Sequence, residues 1–133
     1  MEAAQALADL TEISTQIKAA ALFGADGTIE AATLADGARF VEAVSALLSA
    51  ADGVRTEGLV QLEVATADGS VFVVRDGDRV VAAATAPEPT VGLVFYDLKS
   101  CLRASAEADE AEKPKRKRKA KAKAEEEETG DAS

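Results

Sequence analysis

Five Asp-Gly pairs, beginning at positions 26, 36, 52, 68 and 76, punctuate the chain and limit what it can fold into. Asp-Gly favours the positive φ of a tight turn, and between alternating apolar residues it marks a β-hairpin. Three pairs sit in that context. Asp26-Gly27 joins 17–23 to 28–32, Asp68-Gly69 joins 59–67 to 70–75, and Asp76-Gly77 joins that last segment to 79–85. Five strands result, in groups of two and three.

The other two pairs bracket a helix. Asp36 stands at its N-cap, and Gly53 stands where a left-handed C-terminal cap is expected. Between them Phe40, Val41, Val44, Leu47, Leu48 and Ala51 recur at helical spacing. Ala3, Leu7, Leu10 and Ser14 predict a short amphipathic helix before the first strand. After Pro87-Glu88-Pro89, Thr90 is placed to cap a last helix with Val91, Val94, Phe95, Leu98 and Leu102 on one stripe. The predicted fold class is therefore α+β, in the order α-β-β-α-β-β-β-α.

That pattern stops at Ala106. The predicted domain covers 1–106, and 107–133 holds no aromatic or branched aliphatic residue with which to offset its ordering entropy. A disordered charged tail is expected there, with a basic block over 113–123 between acidic runs. Charge follows the same division: fifteen acids face seven bases up to Ala106, a net of −8, whereas nine acids face eight bases beyond it. So acidic a domain is a poor holder of a nucleic-acid backbone, and polyanion contact falls to Lys113, Lys115, Arg116, Lys117, Arg118, Lys119, Lys121 and Lys123. Nucleic acid, anionic membrane, or a solubilising tail folding back on acidic surfaces all remain open for this block, and without interleaved aromatics any nucleic-acid contact is blind to sequence.

The residues speak against catalysis. The chain has no His, the side chain most often used for proton transfer near neutral pH. Cys101, the one cysteine, has Lys99 and Arg103 nearby but falls three residues after Leu98, where a small hydrophobe is expected. It excludes an internal disulfide framework and fits a reducing cytosol. Asp76-Gly77-Asp78 has the oxygen ligands a metal would use but reads as a turn, since a calcium loop needs further carboxylates. No P-loop pattern is present. No catalytic residue, cofactor or metal is assigned. The N-terminus lacks the basic and apolar regions of a signal peptide, and no apolar run reaches membrane-spanning length, so a cytoplasmic protein is expected.

An ordered set of landmarks resembles the roadblock/dynein light chain family, whose bacterial members regulate Ras-like small GTPases. These landmarks are Leu7-x-x-Leu10, the run from Ala19 to Ile29 through Asp26-Gly27, and the Ala-rich helix ending Ala46-Leu47-Leu48. They continue with the strand Leu59 to Val64, the Asp76-Gly77 turn and the closing Val91 to Leu98. The likeness covers about residues 3 to 104. Gln16-Ile17-Lys18-Ala19 departs from the Gly-Val-x-Gly-like entry frequent in the family, and the basic tail lies outside the family pattern.

The resemblance implies a five-stranded antiparallel sheet of order 2-1-5-4-3, roadblock/profilin-like, with helices on its faces. It also implies a homodimer pairing through the central helix and third strand, placing Phe40, Val41, Val44, Leu48, Leu59, Gln61, Leu62, Glu63 and Val64 at the interface. Independently of the family, Leu59 to Val64 would be an exposed edge with few of the charges and no proline that usually blunt one. Ala38, Ala43, Ala46 and Ala50 would let a second helix approach closely. The implied partner is a Ras-like small GTPase, and Arg39, Arg55, Arg75, Arg79 and Arg103 are the candidates for an arginine supplied in trans, each also readable as a solvated surface charge. Two other functions stay open: a small-molecule sensory domain of profilin- or PAS-like architecture, and a nucleoid-associated protein acting through its tail.

Overall fold

The computed structural model describes residues 2–54 and 58–112, with side chains as far as Ala106. The elements run α1 (Ala3–Ile13), β1 (Ile17–Gly24), β2 (Ile29–Ala32), α2 (Gly37–Asp52), β3 (Val60–Thr66), β4 (Gly69–Asp76), β5 (Arg79–Thr85) and α3 (Val91–Glu112). This is the expected order, and the antiparallel sheet is arranged β2-β1-β5-β4-β3.

Alternation along the three central strands sends neighbouring side chains to opposite faces, so the sheet supports two cores. On one face Ala20, Leu22, Phe72, Val74, Val81 and Ala83 meet α1 and α3. There Phe72 packs edge-on against Phe95, with ring centroids 5.0 Å apart. On the other face Ala21, Phe23, Val73, Val80 and Ala82 meet Val41, Val44 and Leu48 of α2.

The turns are built as the Asp-Gly pairs predict, with one refinement. Gly77 takes φ +67 between β4 and β5 with open space around it. Gly69 instead has φ +150 and lies against the Thr85 carbonyl, where a Cβ would overlap the oxygen. Its demand is close backbone approach as well as conformation.

Two helix ends depart from expectation. Asp36 is the N-cap of α2, but its side chain makes no capping hydrogen bond, and Gly53 is right-handed at φ −66. There the chain continues into a further turn, with the Val54 N–H donating to Ala51, and so needs no left-handed residue. At the other boundary, α3 runs to Glu112, six residues past the expected domain end at 106. Its apolar stripe ends, but Ala104, Ala106, Ala108 and Ala111 favour helix without needing a core to face. The basic block from Lys113 to Lys123 lies outside the described residues.

Candidate functional site

β3 is a terminal strand of the sheet, and among the described residues it is hydrogen-bonded only to β4, which leaves its other edge unpaired there. From Val60 to Thr66 the only charged residue is Glu63. On the α2 face, β3 presents Val60, Leu62 and Val64, and Val71 of β4 stands opposite Val64.

The path of α2 determines how much of this strip is covered. Gly37 at its start lies beside Ala32 of β2, whereas Asp52 at its end reaches Arg75 of β4, the cross-strand partner of Val60. The helix thus crosses the sheet diagonally and leaves the corner around Val64 and Val71 open. Val60, Leu62 and Val71 are half-buried at the margin of the core, and Val64 is 39% exposed. Ala38, Ala43, Ala46 and Ala50 are exposed on α2.

The residues expected at an interface therefore divide. Gln61, Glu63 and Val64 are exposed on the open strand, and Leu62 and Phe40 are half-buried beside it. Val41, Val44 and Leu48 are 4%, 1% and 5% exposed inside the chain's own core, where they pack α2 onto the sheet. Helical spacing identified them as an apolar face, and the sheet uses that face. Leu59 precedes β3 and joins a cleft on the α3 side of the sheet. The sequence places Val60 on the exposed edge but not among the interface residues, and gives no sign of Val71. Alternation with Leu62 and Val64 marks Val60, but only the β3–β4 register brings Val71 to the strip.

Of the candidate arginines, Arg75 is held by both carboxylate oxygens of Asp52 at 2.7 and 3.3 Å. Arg79 donates to Glu30 at 2.8 Å and to Ser105. Arg39 and Arg103 are exposed, and Arg55 lies outside the described residues. A guanidinium held by both oxygens of one carboxylate, as Arg75 is, is poorly placed to reach out to another protein.

Cys101 is buried, with its Sγ 3.5 Å from the Ala6 carbonyl. Burial pushes its thiol up to about 11, against a smaller opposing effect of Arg79, so little thiolate exists at neutral pH. Asp76 and Gly77 form the β4–β5 turn, and Asp78 accepts from the Ala25 N–H through its backbone carbonyl.

No protein-family model and no curated protein matches the chain. Solved structures do resemble it. The Roadblock/LC7 domain from Streptomyces avermitilis aligns with a TM-score of 0.69 at 16% identity, covering 81% of this chain and 98% of that one. The gliding protein MglB from Thermus thermophilus aligns at 0.66 and 13%, covering 79% and 86%. A structure of MglB with a tetrameric arrangement aligns at 0.64 and 14%, covering 79% and 85%. The fold is thus roadblock/profilin-like.

Proposed function

We propose that the chain is a non-catalytic homodimeric regulator or scaffold of a bacterial Ras-like small GTPase. The observation that carries this reading is the unpaired β3 edge beside the apolar corner of Val64 and Val71. A second copy laid antiparallel along β3 would extend the sheet, cover that corner and bring the alanine-bearing faces of two α2 helices together. The fold it shares with MglB, a bacterial GTPase regulator, supports the choice of partner. A buried, protonated Cys101 favours action through contact over chemistry.

Two measurements test the two halves. Light scattering on the eluted full chain should give twice its 13.7 kDa mass, and a monomer at micromolar concentration overturns the pairing. Affinity capture from the native cytosol, loaded in parallel with GDP and a non-hydrolysable GTP analogue, should recover a Ras-like GTPase preferentially in one nucleotide state. Absence of any such GTPase from both arms overturns the regulatory assignment.

A further inference from the structure

Three of the domain's seven basic side chains line one cleft, although acids outnumber bases two to one over the same residues. The cleft lies between α3 and the β4–β5 end of the sheet, with a volume of about 360 Å³. Its apolar wall is Val74 and Leu102, both buried, with Leu59 47% exposed beside them.

The three cations are not equivalent. Arg79 is engaged by Glu30 and Ser105, so its charge is already matched. Lys99 and Arg103 lie one turn apart on α3, and neither makes an ion pair among the described side chains, which end at Ala106. Like charges at that helical spacing repel, so holding both beside an apolar wall works against the stability of α3. Asp76 is the one acid in the lining and offsets only part of their charge.

We propose that this cleft binds a small organic anion, its charged head between Lys99 and Arg103 and its apolar body against Leu59, Val74 and Leu102. The volume falls within the usual range of small-molecule sites, roughly 300–1,000 Å³. The acidic remainder of the domain repels anions, and a low-dielectric wall strengthens the attraction of the cations beside it. A carboxylate and a phosphate head satisfy the same two cations, and the two are separated by experiment. The cleft lies on the sheet face opposite the Val64–Val71 corner, so the proposed binding does not require pairing through that corner.

The test uses the full chain and the apolar anion 1-anilinonaphthalene-8-sulfonate. Its fluorescence should rise saturably, and octanoate or octyl phosphate should displace it, the stronger competitor identifying the preferred head group. The double variant Lys99→Glu/Arg103→Glu should weaken probe binding at least tenfold, whereas Lys18→Glu, on β1, should leave it unchanged. Val64→Lys should bind the probe like the parent chain even if it alters oligomeric state. Circular dichroism of each variant establishes that it is folded. No saturable binding, or binding that a folded Lys99→Glu/Arg103→Glu variant retains, overturns the proposal.

Discussion

Arg75 grips both oxygens of Asp52, joining the fourth strand to the last residue of the central helix. This contact ties the end of α2 to the sheet where the packing of Val41, Val44 and Leu48 already lays the helix across it. Hydrogen bonding to Arg75 holds the Asp52 carboxyl below its ordinary value of 3.8. A carboxylate whose folded value is depressed contributes stability that is present above the unfolded value and lost as pH falls through the folded one. Asp52→Asn should therefore lower Tm modestly at pH 7, and the difference from the parent should shrink in melts run at successively lower pH, as the carboxylate is titrated through its depressed folded value.

Val64→Lys should convert a dimer to a monomer that still folds cooperatively, because Val64 is exposed within one chain, with Tm falling only by the contribution of association. Paired antiparallel strands would set the two lysines close together beside an apolar strip. Light scattering and a thermal melt on the same sample separate loss of pairing from loss of folding. A variant that stays dimeric would remove β3 from the interface.

The two positive-φ glycines of the second and third hairpins should respond differently to one added methyl. Gly77→Ala meets open space and carries only the left-handed penalty, about 1–2 kcal/mol. Gly69→Ala must also push the β5 backbone at Thr85 aside, so it should cost more, about 3 kcal/mol. Urea denaturation of both variants reads the difference. Equal midpoints would mean that the Thr85 approach relaxes freely.

Truncating Phe72, fully buried between β4 and α3, should cost about 3–5 kcal/mol by loss of transfer energy and creation of a cavity. Phe95→Ala should cost less, since Phe95 is only half-buried. Chemical denaturation of the two variants should rank them in that order.

Cys101 gives an alkaline signature. Its thiol ionises near 11 in the folded chain against an ordinary 9.0, so the unfolded chain loses the proton first. Stability should fall as pH rises from about 9 to 11, and Cys101→Ala should reduce that slope. Native alkylation by iodoacetamide should be slow at pH 8 and accelerate upon unfolding.

Much of this architecture is legible in residue order because Asp26-Gly27 and Asp76-Gly77 act locally: each pair sets a turn, and the flanking alternation sets which face each strand buries. The end of α3 is less legible. Apolar periodicity marks the residues that touch the sheet, while alanine propensity carries the helix on to Glu112. The pairing face was half visible for a related reason. Helical spacing reports that Val41, Val44 and Leu48 are covered by something, and only the three-dimensional path of α2 shows that it is the chain's own sheet. The cationic cleft was not legible at all, since Arg79 and Lys99 belong to different elements and meet only through packing.

Arg79 ties three separate pieces of chain, donating from β5 to Glu30 of β2 and to Ser105 of α3. In mechanical terms it is a guy line anchored at the centre of the sheet. Tension applied to the chain beyond Glu112 would pass down α3 into β5, a strand hydrogen-bonded on both sides, and not into an edge strand that can be unzipped one bond at a time.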